Sequence, residues 1–95
     1  GMMSSHEPEE VLSRLAPLAR WVIATETGEA GTRPCGEIVQ TAERYCADVS
    51  ACPEVNEAIS RACALAGRDG VVCVTGSFYL LGHIRRPLRV TAGAA

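Results

Sequence analysis

Residues 71–82 read VVCVTGSFYLLG. An apolar run stops at Thr75, Gly76 and Ser77 and resumes as Phe78, Tyr79, Leu80 and Leu81. Val71 to Thr75 has the β-branched, two-sided apolar character of a strand buried in a parallel sheet. Gly76 permits the sharp turn that must follow, and Ser77 can cap a helix by accepting from a backbone N–H two or three residues on. A buried strand, a small turn and a helix over residues 77–87 make half of a βα unit, so this stretch sets the fold class.

The same alternation recurs upstream. Glu7-Pro8-Glu9-Glu10 supplies the proline and carboxylates of a helix start, and Val11, Leu12, Leu15, Leu18 and Ala19 follow near helical spacing, predicting a helix over residues 8–19. Trp21 to Thr25 reads as a strand apolar on both faces. A Gly-, Pro- and Thr-rich loop leads into a helix over residues 36–47, with Ile38, Val39, Ala42, Tyr45 and Cys46 on one side. Asp48 to Cys52 carries a weak strand signal. Pro53 and Glu54 then open a helix whose apolar face holds Val55, Ala58, Ile59, Ala62, Cys63 and Ala66, and Gly67 ends it as a left-handed cap would. After Val90 the Ala/Gly-rich end reads as a mobile tail. The pattern predicts an α/β fold with one open, mostly parallel sheet and helices on both faces.

The chain has 95 residues, room for one small domain. Its apolar fraction is 47%, yet Trp21, Tyr45, Phe78 and Tyr79 are the only aromatics, leaving Val, Ile, Leu and Ala to fill the interior. A net charge of −2 with scattered arginines offers no broad basic face, which argues against nucleic acid as a partner. No apolar run approaches the roughly 18 residues of a membrane span, and the acidic start GMMSSHEPEE differs from a signal peptide, so a cytoplasmic location is expected. Gly1 ahead of two methionines resembles a residue left by tag removal. Five cysteines, with no C-x-x-C pair, read as free thiols, and Cys46, Cys63 and Cys73 fall in apolar patterns where cysteine acts as a small hydrophobe. Metal-ligand spacing is absent, so no metal site is expected.

In open α/β sheets ligands gather beyond the carboxyl ends of the strands, which singles out Thr25 to Arg33 and Thr75 to Tyr79. The amides of the Thr75-Gly76-Ser77 turn either serve a cap alone or contact a carboxylate or phosphate. Arg33 beside Pro34 is either a solvated loop arginine or a fork-like grip on such an anion. His83, Arg85, Arg86 and Arg89 cluster where cations complement a helix C-terminus. His6 has no evident partner. Neither G-x-G-x-x-G nor G-x-x-x-x-G-K-[ST] occurs, so the chain has no phosphate-cradling loop of its own. No catalytic Ser/His/Asp or Cys/His arrangement is present, and no catalytic residue is assigned.

The closing segment VVCVTGSFYLLGHIRR resembles that of the folylpolyglutamate synthase/dihydrofolate synthase family, which ends in a strand, T-G-S, an aromatic or Leu, Y-L and x-G-x-x-R. Val74, Thr75, Gly76, Ser77, Tyr79, Leu80, Gly82 and Arg85 fit that pattern. PEEVLSRLAPLARWVIAT is similar to the family's helix, L-A-P and strand, Thr32-Arg33-Pro34 to its P-R loop, and PEVNEAISRACALAGRDGVV to a helix and G-x-D turn. The resemblance implies the Rossmann-like C-terminal domain of a Mur-type ligase, in which ATP with Mg activates a folate or pteroate carboxylate for attack by glutamate. It implies that residues 1–95 form a partial domain, truncated on its N-terminal side, because the family's D-G-A-H-N strand is absent. A D-K-D motif would fall at Ser5-His6-Glu7, where glutamate alone approximates it. The expected consequences are a chain inactive alone and binding no cofactor itself. Its expected partners are a separate chain carrying the ATP-binding domain, or a second copy in a homodimer, with folate and glutamate met only in the complete enzyme. The alternative is a non-enzymatic protein-interaction or ligand-binding domain derived from that ligase domain.

If Ser77 caps the last helix, Ser77→Ala lowers stability by about 1 kcal/mol and Ser77→Gly by only a few tenths. Equal losses in urea unfolding would argue against the cap.

Overall fold

Glu9 and Glu10 lie in the first turn of helix α1 (Pro8–Leu15), where Pro8 needs no backbone partner and the carboxylates meet the positive end of the helix dipole. The computed structural model describes residues 1–2, 7–28, 30–75 and 91–92. Among these, α1 passes into a 3₁₀ turn at Ala16–Leu18 that contains Pro17, so the expected helix over residues 8–19 ends in a tightened turn. Strand β1 (Trp21–Ala24), helix α2 (Cys35–Ala42), strand β2 (Asp48–Ala51), helix α3 (Val55–Ala66), strand β3 (Cys73–Val74) and strand β4 (Thr91–Ala92) follow. Over its described residues the chain is a small α/β protein with three α-helices and short parallel pairing.

β1 and β2 run parallel with Trp21 opposite Asp48, Val22 opposite Val49, Ile23 opposite Ser50 and Ala24 opposite Ala51. The weak strand signal at Asp48–Cys52 is thus realised. β3 pairs with β4, also in parallel, as a second two-stranded sheet. Thr91 and Ala92 therefore hold strand positions where composition alone predicts a mobile tail. A pairing of two residues is set by the neighbouring strand and leaves no periodic trace in sequence.

Two apolar clusters hold the described part together. Leu12 and Ala16, Ala24, and Ile38, Ala42 and Cys46 form the larger one, joined by Met2 and Cys35, with Val22 and Val49 packed against it. Val55 and Ile59 form the smaller, with Cys63 and Val74 alongside. Tyr45 packs against the larger cluster, and its Oη donates to the Glu9 carboxylate, which also pairs with Arg44 at 3.4 Å, tying the turn after α2 to α1 at the surface. That hydrogen bond with the carboxylate raises the Tyr45 pKa.

Two strands are less buried than their apolar character predicts. In β1 only Ala24 is buried, and Trp21 is 36% exposed. Val71 is 86% exposed and Cys73 is exposed, so the expected strand from Val71 to Thr75 shortens to two residues. All five cysteines are free thiols. Cys35, Cys46 and Cys52 are buried, whereas Cys73, read as a small hydrophobe, faces solvent.

The turn after α3 depends on glycine twice. Gly67 has φ +70° and ψ −167°, a region open essentially to glycine, and its N–H donates to Cys63 O at 3.1 Å. The ψ differs from the left-handed cap that the sequence predicts. A β-carbon on Gly70 would lie 2.2 Å from the Ala66 carbonyl oxygen. Gly36, inside α2, has open space around it. Accordingly, Gly70→Ala is expected to destabilise by roughly 1–3 kcal/mol through forced backbone displacement. Gly36→Ala is expected to stabilise by about 0.5 kcal/mol through helix propensity. Chemical denaturation of the two variants checks both signs.

Candidate functional site

β1 and β2 are parallel, so the loops that follow them emerge on the same edge, and this edge is a dense hydrogen-bonded patch. Thr25 and Thr27 are its buried polar residues. Thr25 Oγ1 donates to Pro53 O at 3.1 Å, and the Glu26 N–H donates to the same carbonyl at 3.3 Å. The Cys52 N–H donates to Ala24 O at 2.8 Å, extending the ladder past β2. Within the loop, the Thr27 N–H donates to Thr32 Oγ1 at 3.0 Å. The residues just past the two strands are thereby locked together.

Two carboxylates occupy the helix starts on this edge. Glu26 Oε2 accepts from the Cys35 N–H at 3.0 Å, at the first residue of α2. Glu54, the N-cap of α3, accepts from the N–H groups of Asn56 at 3.1 Å and Glu57 at 2.6 Å. Backbone amides at helix starts favour anions because they carry the positive end of the helix dipole. Here the protein's own side chains fill that role. Burial, together with the Glu26 carboxylate beside it, pushes the Cys35 thiol pKa up. Cys35 therefore stays protonated and is a poor nucleophile near neutral pH.

Of the sequence-predicted residues, Arg33 and Thr75 lie at this side of the molecule. Arg33 directs Nη1 to Glu37 Oε2 at 2.9 Å, one helical turn into α2, and its side chain is 16% exposed. Its backbone N–H donates to Met2 O at 2.7 Å. A ligand carboxylate or phosphate would have to compete with Glu37 for the guanidinium. Thr75 O accepts from the Gly1 amine at 3.5 Å, and burial lowers that amine's pKa to about 6. The chain's first residues therefore bridge the loop after β1 and the end of β3. Glu7 is exposed at the start of α1, with no side-chain cap bond. His6, Gly76, Ser77, Tyr79, His83 and Arg85, together with the helix expected over residues 77–87, lie outside the described residues.

Sequence reasoning missed Glu26 as a helix cap. Its partner amide is nine residues away across an irregular loop, and no short motif encodes that distance. It also missed the threonine ties, since a lone threonine after a strand has no distinctive spacing. Among the described residues, no three His, Cys, Asp or Glu side chains gather to hold a metal ion. No helix among them is long and apolar enough to cross a membrane.

A separate feature is an apolar cavity of about 630 Å³ bordered by α1, β1, α3 and the residues leading into β3. Leu18, Trp21, Leu65 and Val71, the exposed large hydrophobic residues among those described, all border it. Comparison with protein-family models, curated proteins and solved structures returns no match for this chain.

Glu54→Ala should lower stability by about 1 kcal/mol. By vacating the α3 amides it should also let inorganic phosphate raise the melting temperature more in the variant than in the parent, both read against chloride at equal ionic strength. An identical phosphate response in both proteins would mean that Glu54 does not block an anion site.

Proposed function

We propose that this chain is a Rossmann-like α/β module of the folylpolyglutamate synthase/dihydrofolate synthase C-terminal type that does not ligate by itself. The observation that carries the reading is the strand–T-G-S–aromatic–Y-L pattern from Val74 to Leu80, on a chain that alternates strand and helix as β1–α2–β2–α3–β3. In this reading the turn from Thr75 to Ser77 and the Arg33 loop face glutamate or nucleotide in an assembly whose ATP-binding domain lies on another chain. Tyr79, His83 and Arg85 belong to the same closing segment, and His6 and Glu7 stand where the family carries D-K-D. ATP and Mg would be held by that other domain. The described residues offer no donor set for a metal ion, so no step through Mg is assigned to this chain.

A second reading, an interaction domain without ligase chemistry, is favoured by a different observation. Glu26 and Glu54 already occupy the amides of α2 and α3 that would otherwise receive a ligand anion, while Arg33 is engaged by Glu37. A domain tuned to hold phosphate has little use for carboxylates there.

The experiment that tests the first reading is a ligation assay with folate or pteroate, glutamate and ATP. The chain alone is expected to release no ADP beyond background, for want of a phosphate-cradling loop. ADP release that requires both folate and glutamate, in protein freed of host ligase, would overturn the expectation.

A further inference from the structure

The connection from α3 to β3 carries an Asp-Gly pair, Asp69-Gly70. Gly67 to Gly70 lie outside helix and strand, and every residue from Gly67 to Val71 is exposed. Exposed connections of this kind open locally at little cost. The backbone nitrogen that follows an aspartate can attack the side-chain carboxyl carbon where nothing crowds it, and glycine, with no β-carbon, crowds it least. The fold holds glycine at this position. A β-carbon on residue 70 would lie 2.2 Å from the Ala66 carbonyl oxygen, so a bulkier residue that would shield the nitrogen has no room without backbone movement.

The chain supplies its own contrasts. Asp48 is its other aspartate and Asn56 its asparagine. Asp48 sits in β2, held in the parallel pair, and the β-branched Val49 crowds the nitrogen that follows it. Asn56 lies in the first turn of α3, where the next nitrogen, that of Glu57, donates to Glu54 Oε2 at 2.6 Å. Exposure, freedom from regular structure and a bare following nitrogen coincide at Asp69 alone among these three.

We propose that Asp69-Gly70 is a site of spontaneous backbone isomerisation in the folded protein. The Gly70 nitrogen attacks Asp69 Cγ, an N–C bond forms, and the amide proton leaves with the side-chain hydroxyl as water, giving a succinimide. Water then adds back. Addition at Cγ breaks the new bond and restores aspartate, whereas addition at the main-chain carbonyl carbon breaks the original peptide bond and leaves isoaspartate, with the backbone running through Cβ and Cγ. The product has the composition and charge of the parent, and its main chain is lengthened by the Cβ methylene beside a glycine seated tightly on Ala66. The join between α3 and β3 therefore loosens. The inference stands apart from the ligase reading, since it uses neither ATP nor the closing motif.

The full chain, aged at neutral pH, tests the proposal by peptide mapping with electron-transfer fragmentation, which separates isoaspartate from aspartate, and by methyl labelling with an isoaspartyl carboxyl methyltransferase. Isoaspartate is expected at Asp69 and not at Asp48, and the methyl label in the same peptide. Because local opening costs little, the rate in the folded protein should lie within about tenfold of that in urea-unfolded chain. Asp69→Glu should abolish the label in that peptide, and Asp69→Asn should increase it severalfold, because ammonia departs more readily than water. The isomerised protein, separated chromatographically, should melt at a lower temperature than the parent. The proposal fails if isoaspartate forms only in the unfolded chain, if Asp48 isomerises as fast as Asp69, or if parent and product melt alike. The comparison of folded with unfolded chain uses the unaltered protein, so it decides the matter even if a variant misfolds.

Discussion

The parallel pairing of Trp21–Ala24 with Asp48–Ala51 is the constraint from which the rest of the described structure follows. Parallel neighbours cannot be closed by a tight turn, so the chain must travel back along the sheet between them, and α2 does so. That return covers one side of the pair with Ile38 and Ala42 and builds the larger core against α1. It also brings the ends of both strands to one edge, where the Pro53 carbonyl accepts from Thr25 and Glu26 together. Proline suits this position. It contributes an acceptor without a donor of its own, just before α3 begins.

The electrostatics of that edge run opposite to the usual expectation for an α/β sheet. Helix starts there commonly present uncompensated amides, yet α2 and α3 each receive a glutamate. Both carboxylates belong to residues adjoining the strand ends, so the helices are stabilised by the loops that precede them. The arginine nearest the edge is held by Glu37 on α2. The edge is thus charge-satisfied internally, while the exposed large hydrophobic residues among those described, Leu18, Trp21, Leu65 and Val71, gather around the apolar cavity.

Legibility in the sequence followed the range of the forces involved. The α3 boundaries were readable because Val55, Ala58, Ile59 and Ala62 repeat with helical period over twelve residues, with Pro53 and Gly67 bracketing them. β2 was readable only weakly, because Asp48 and Ser50 interrupt its apolar character and its pairing is with a strand more than twenty residues away. β3 was overestimated. Val71 and Val72 look like buried strand, but whether such residues are buried depends on what lies beside them, and Val71 is largely exposed. β4 was illegible for the same reason in reverse, since Thr91 and Ala92 owe their strand conformation to Cys73 and Val74. At the site, Arg33 and Thr75 could be marked by their position after strands and Glu54 by its place at a helix start, while Glu26, which caps α2 from nine residues away, could not.

Trp21 carries a consequence of another kind. It is the chain's single tryptophan, it stands partly exposed at the rim of the cavity, and the Arg20 guanidinium lies 4.6 Å above its ring. Indole emission responds to both water and nearby cations. The molecule therefore has a built-in optical gauge of this one place, in a background of only two tyrosines. Whatever seats itself beside β1 must change the solvation of that ring or the position of the cation above it, and unlabelled protein at dilute concentration will register the change.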